Sequence, residues 1–300
     1  MSSSSQFSTI KLDLEAAALE FVGTTLFLLL GLGGIQAVGA EGANGTPAGS
    51  TIEKVLYIST CMGFSLLISA WIFFRVTGAC FNPNISLALL LVGVIKPVRF
   101  VLYCVAQMLG AIAASALVLA LTPGNLASNN VLGTDINPAQ GVFIEMFITA
   151  ALVLCVLMLA AEKHQATAFA PIGIGLTLFA CHLWAVFYTG ACMNTARAFG
   201  PAVLTGFMYS HHWVFWVGPF LGSVLGALIY GLLKHYHYLK LDPDQASFDI
   251  TKSPHDPFTV IMKLFNSGTD GDGKRNAAVD TYGAGVGEKV DVQSVTDSAV

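Results

Sequence analysis

Six apolar stretches, near residues 14–39, 52–74, 98–121, 141–161, 167–188 and 212–234, leave this chain few ways to fold. About 20 consecutive apolar residues in a helix cross the hydrocarbon core of a bilayer, and each stretch is long enough to do so. Composition points the same way. Of 300 residues, 55% are hydrophobic and 11% charged, whereas a soluble domain carries about 25% charged residues. Most of the surface must therefore face lipid. The 14 Lys and Arg against 18 Asp and Glu leave a net charge of −4 with no basic patch, which sets nucleic-acid partners aside.

Two further apolar pieces, about 83–93 and 195–206, are too short to span. Each follows a Gly-containing segment and an Asn, as expected of a helix that begins inside the membrane. These lead-in segments are copies of one another: Thr77-Gly78-Ala79-Cys80-Phe81-Asn82 recurs as Thr189-Gly190-Ala191-Cys192-Met193-Asn194. Each copy lies between the second and third span of its own half. Weaker echoes follow the same alignment, Glu20 with Glu145 and Gln107–Gly110 with Pro219–Gly222. Three spans per half is an odd number, so the second half runs through the membrane inverted relative to the first. The fold class is an all-α membrane protein with six transmembrane helices and two re-entrant half-helices in an inverted repeat.

Inversion brings the two short helices in from opposite faces, with their N-termini meeting near the midplane. Irregular backbone at that depth is tolerated where protein or a water-filled cavity satisfies it, so a cavity is expected there. Asn82 and Asn194 are favoured N-cap residues, and Pro83 suits the first helical position. With the caps holding the backbone, each Asn amide can turn N–H donors towards the cavity, and each helix N-terminus adds about half a positive charge. A passing water offers its oxygen to these donors, while protons and cations meet a positive field. Ordinary helix capping is the plainer reading of the two Asn; their meeting in an inverted membrane repeat favours a pore. Glu20 and Glu145 are ionisable groups inside spans. We read them as structural acceptors for backbone N–H groups of the dipping loops, ahead of direct contact with the pore.

Short cytoplasmic loops collect Lys and Arg. Lys11, Arg75, Lys96, Arg99, Lys163 and Lys234 fall on one side of this topology, and 40–51 and 122–140 carry none, so both termini are expected in the cytoplasm. The organisation is then a cytoplasmic N-terminal tail (1–13), a channel domain (14–236, halves about 14–121 and 138–236) and a mostly disordered cytoplasmic tail (237–300). Asn44-Gly45-Thr46 is a possible glycosylation acceptor on the external side, weakened by the Pro that follows it. The six cysteines lie in or beside apolar stretches without a CxxC and read as packing residues. No metal cluster, cofactor site or nucleophile with a base is legible, so no enzyme is expected. His164, in the short 162–166 loop, is either a pH gate or an ordinary loop residue.

With these motifs in place, residues 14–236 resemble the aquaporin, or major intrinsic protein, family, in wording closest to fungal water-selective members. The family's paired signature is Asn-Pro-Ala; here it reads Asn82-Pro83-Asn84 and Asn194-Thr195-Ala196, each departing at one position. Asn84 sets an extra amide where the two half-helices touch. Asn137-Pro138-Ala139 spells the triplet but lacks the lead-in, and reads as a helix start at the external surface.

The resemblance further implies a narrow outer filter at Met62, His182, Ala191 and Arg197. Arg197 lies at the positive end of a short helix, where a cation is disfavoured, and a charge at membrane depth is costly besides. Stability does not account for it. His182 fits the filter histidine by its spacing to Asn194, although a His in an apolar helix can also be a satisfied core residue. An Arg facing a His leaves little room for a polyol. Glycerol-conducting relatives usually have a small residue at the His position and an Asp after the Arg, where this chain has His182 and Ala198. The flexible Met62, where many water channels have Phe, is expected to open the filter slightly.

The implied function is a passive water channel, driven by osmotic gradients and excluding protons and ions, in a plasma-membrane homotetramer. The alternatives are a facilitator of other small neutral solutes such as glycerol, hydrogen peroxide, ammonia or carbon dioxide, or a structural or adhesive tetramer whose pore is incidental.

Overall fold

The computed structural model describes residues 3–41, 51–246, 253 and 256–259; Asn44 and most of the chain beyond 246 lie outside the described residues. Among the described residues eight α-helices form: α1 (Ser3–Glu41), α2 (Thr51–Phe73), α3 (Pro83–Leu91), α4 (Pro97–Leu121), α5 (Pro138–Val156), α6 (Ala170–Thr189), α7 (Thr195–Thr205) and α8 (Val214–His235). There is no strand among the described residues. Six of the helices are long and apolar enough to cross a membrane, and α3 and α7 are the two short ones.

Local chemistry sets most of the ends. Pro83, Pro97 and Pro138 each open a helix, where the missing N–H and the fixed φ suit the first turn. Asn137 caps α5 and exchanges hydrogen bonds with Gln140 in a capping box. Gly190 and Gly206 close α6 and α7 at φ +75° and +76°, the left-handed conformation common just past a helix end.

The first helix departs from the sequence reading. It begins at Ser3, so most of the segment read as a polar tail is helical. Nothing in residues 3–13 breaks a helix, and Asp13 is buried against α4, where Arg99 donates to it through Nη2 at 2.6 Å and Nε at 2.7 Å. Both contacts fall on Oδ1, and hydrogen bonds between two charged groups are among the strong ones.

Contacts between helices repeat the internal symmetry. In the first half α1 packs on α4, in the second α5 packs on α8, and α2 and α6 pack on each other between the halves. Each half-helix lies on the last span of the opposite half, α3 on α8 and α7 on α4. Small residues make these approaches possible, as in other membrane helix bundles. A Cβ on Gly63 would lie 3.1 Å from the Gly175 carbonyl, and one on Gly175 2.8 Å from that of Gly63. Large apolar side chains such as Leu30, Trp71, Leu109, Phe147 and Leu228 stay on the outside, where the solvent is lipid. At Gly222 a Cβ would come within 2.5 Å of the Met146 carbonyl oxygen. Gly222→Ala is therefore expected to destabilise the α5–α8 contact by about 1–3 kcal/mol, read as a lower unfolding temperature in detergent; an unchanged temperature would show that the helices slide apart freely.

Residues Met1–Tyr238 form one compact unit and Leu239–Val300 a second. Of the second, the described part includes a short 3₁₀ turn at Pro243–Ala246 and a turn begun by Asp256, whose carboxylate accepts from the Phe258 and Thr259 amides.

Candidate functional site

The segments leading into α3 and α7 share an unusual backbone. Gly78 and Gly190 lie at φ +88° and +75°, and the non-glycine residues Ala79, Phe81, Ala191 and Met193 at +52°, +51°, +49° and +50°. Left-handed backbone costs an L-residue roughly 1–2 kcal/mol, so something must hold these loops. Two fully buried carboxylates contact them. Glu145 accepts from the amides of Cys192 and Met193, each at 2.9 Å, and from the Thr189 hydroxyl at 2.5 Å. Glu20 accepts from the Phe81 amide at 2.5 Å and from Gln107 Nε2 at 2.9 Å.

The caps follow. Asn82 Oδ1 accepts from the Asn84 amide at 2.8 Å, and Asn194 Oδ1 from those of Ala196 at 3.0 Å and Arg197 at 3.2 Å. The Asn Nδ2 groups cross between the halves. Asn82 donates to the Met193 carbonyl at 2.8 Å and Asn194 to the Phe81 carbonyl at 2.9 Å. An amide NH₂ carries two hydrogens, so each Asn spends one on the opposite loop and keeps one for the space beside it. Asn84 Oδ1 accepts from the Thr195 amide and hydroxyl at 2.9 and 3.0 Å, so the extra amide lies between the half-helices.

A narrow cavity runs through this region, lined by Met62, Cys80, Asn82, Cys192, Asn194 and Arg197 and continued by apolar side chains such as Leu89 and Val156. It offers about 30 Å³ to the centres of water-sized molecules, and one water needs roughly 10–15 Å³ by that measure. Two or three waters fit. Arg197 is 2% exposed; its Nη1 donates to the Ser128 carbonyl at 3.1 Å and to Asn130 Oδ1. Its Nε has no partner among the described residues.

His182 is fully buried and does not line the cavity, nor does Ala191. The Leu178 carbonyl lies 2.9 Å from His182 Nδ1. A carbonyl only accepts, so Nδ1 carries the proton, and a neutral ring presents Nε2 as an unpartnered acceptor. Asn84, Thr195, Ala196, Glu20 and Glu145 are buried, and neither they nor Pro83 belong to the cavity lining.

A family model described as major intrinsic protein matches residues 6–230. The chain belongs to the major intrinsic protein family. Aquaporin-1 of Laccaria bicolor is 67% identical over 258 residues, which cover 86% of this chain and 83% of that one. Aquaporin-7 of Botryotinia fuckeliana is 45% identical over 236 residues, 77% of this chain and 52% of its own. Among solved structures, the aquaglyceroporin from Plasmodium falciparum superposes with a TM-score of 0.60 at 20% identity, covering 77% of this chain and 98% of that one. That likeness shows the fold alone. As a major intrinsic protein, the chain is an integral, multi-pass membrane protein of a transport-channel family.

Two residues in contact with this site escaped the sequence reading of this major intrinsic protein. Asn130 holds Arg197 and also donates to the Thr189 carbonyl at 3.3 Å, but it lies in a polar loop with no periodicity to single it out. Gln107 bridges Glu20 and Ser86, donating to Ser86 Oγ at 3.0 Å. A Gln within an apolar span was a visible signal, and it served only as a weak echo of the repeat. The position matched to it in the second half is Pro219, so the two loops are not held in the same way.

Proposed function

We propose that this protein is a passive water channel that excludes ions and protons, working as a homotetramer in the plasma membrane with both termini cytoplasmic. The observation that carries the reading is Arg197, a buried guanidinium on a cavity that admits waters, its Nε unpartnered. Each water can accept from Arg197 and then from the spare amide hydrogens of Asn82 and Asn194. A cation meets the guanidinium and two helix N-termini, all of one sign. Met62 and Arg197, which line the cavity, carry the outer filter in this reading; His182 and Ala191, assigned to it by the family resemblance, are fully buried off that wall. Asn82, Pro83, Asn84, Asn194, Thr195 and Ala196 form the midplane motif, and Glu20 and Glu145 support the dipping loops. Residues 14–236 constitute the channel domain.

One observation favours a second reading. Met62 lines the cavity with a flexible thioether, which supports passage of slightly larger neutral solutes. Stopped-flow light scattering on proteoliposomes separates the two. An osmotic step is expected to give shrinkage much faster than in empty liposomes, and a glycerol gradient little re-swelling. Shrinkage no faster than in empty liposomes would end the channel reading, and comparable glycerol entry would select the facilitator.

A further inference from the structure

The two departures from the Asn-Pro-Ala triplet meet in space. Asn84 stands where the triplet has Ala, and Thr195 where it has Pro. They come from opposite halves and sit in the first turns of α3 and α7. Asn84 Oδ1 accepts both the Thr195 amide, at 2.9 Å, and the Thr195 hydroxyl, at 3.0 Å. Each residue is 5% exposed. Helix α8 frames the pair: the Ser223 hydroxyl donates to the Asn84 carbonyl at 2.9 Å, and the Thr195 hydroxyl reaches the Phe215 carbonyl at 3.3 Å.

Each substitution makes the other necessary. The amide of a first-turn residue finds no acceptor within its own helix. A proline there removes the donor, whereas Thr195 restores it at a depth where an unmatched N–H is costly. Asn84 supplies the missing acceptor. Conversely, Asn84 facing a proline would bury an amide oxygen with no donor. The pseudo-symmetric pair is Pro83 and Ala196: Pro83 has no N–H to satisfy, and Ala196 has no side-chain acceptor to offer. One chain thus holds both solutions, one on each side of its internal symmetry axis.

We infer that Asn84 and Thr195 form a latch between the half-helices that sets the spacing of Asn82 and Asn194 across the lumen, so that ion exclusion depends on the pair and on neither residue alone. The inference rests on the water-channel reading. Both are positioning residues, since neither lines the cavity; they act through the caps, Asn82 two residues before Asn84 and Asn194 immediately before Thr195.

Four full-length proteins test this: wild type, Asn84→Ala, Thr195→Pro and the double variant, which carries Asn-Pro-Ala in both halves. In proteoliposomes, proton leak is followed with an entrapped pH dye under a potassium–valinomycin potential, alongside osmotic shrinkage. Each single variant is expected to leak protons about tenfold faster, the change in rate that follows from losing about one hydrogen bond's worth of barrier. The double variant returns to the wild-type leak, and so does a fifth protein, Thr195→Ser, which keeps both donors. Leaks that add in the double variant, or single variants as tight as wild type, would overturn the latch. Thermal unfolding of the same four proteins in detergent gives a second double-mutant cycle that needs no transport. Should the wild type carry no water, the function fails while this cycle still decides: recovery in the double variant supports the latch and additive losses overturn it. A single variant that does not fold counts for the latch when the double variant folds and against it when the double variant does not.

Discussion

Replacing Arg197 by Val is expected to leave water flux close to the wild-type value while admitting ions and larger neutral solutes. The guanidinium is 2% exposed and held by the Ser128 carbonyl and Asn130, so its charge sits at one place on the cavity wall. A unit positive charge about 4 Å from a passing cation raises its energy by on the order of 4 kcal/mol at an effective dielectric constant near 20. Removing that term speeds cation passage by up to about three orders of magnitude. Water carries no net charge and keeps the Asn82 and Asn194 donors, so its barrier changes little. Sodium and proton leak in proteoliposomes, with urea and glycerol uptake beside osmotic shrinkage, read the split. Unchanged selectivity would place the constriction elsewhere.

Glu145→Leu is expected to cost the protein its folded state. Three donors converge on this carboxylate: the amides of Cys192 and Met193 and the Thr189 hydroxyl. Leucine leaves the two amides buried and unmatched, at about 1–3 kcal/mol each, while the Thr189 hydroxyl keeps only its longer contact to the Ala185 carbonyl at 3.4 Å, against a total stability on the order of 5–15 kcal/mol. The left-handed residues Ala191 and Met193 lose their anchor in the same step. Glu145→Gln keeps one accepting oxygen but turns an NH₂ towards a second donor, so it should fall between. The yield of monodisperse protein on size exclusion and the unfolding temperature in detergent rank the three. A Glu145→Leu protein as stable as wild type would show that the loop holds its shape without the carboxylate.

Much of this architecture was readable in advance because its causes are local or periodic. Apolar length gave the six spans, Asn82 and Asn194 announced two helix starts, and the copied hexapeptide required inversion once three spans per half were counted. Helix α1 starts ahead of its apolar run, because a polar stretch without Gly or Pro continues a helix when one of its carboxylates, Asp13, finds Arg99. Asn137-Pro138-Ala139 shows the converse: the letters match the family triplet, but the residues make an ordinary capping box at the start of α5. His182 was placed by spacing along the chain, and spacing does not specify which ring nitrogen bonds the Leu178 carbonyl.

By itself, the sequence determined the solvent, the helix count, the inverted repeat and the residues at the two half-helix starts, since each follows from composition, run length or neighbours within one turn. Tertiary structure alone decided how those residues are used. Asn84 meets Thr195, Asn130 reaches Arg197 and Gln107 bridges Glu20 to Ser86, and in most of these contacts the partners are far apart in the chain. Such pairs satisfy buried donors and acceptors in a medium without water, and which donor meets which acceptor is set by how the helices pack within and between the two halves, not by any local pattern along the chain.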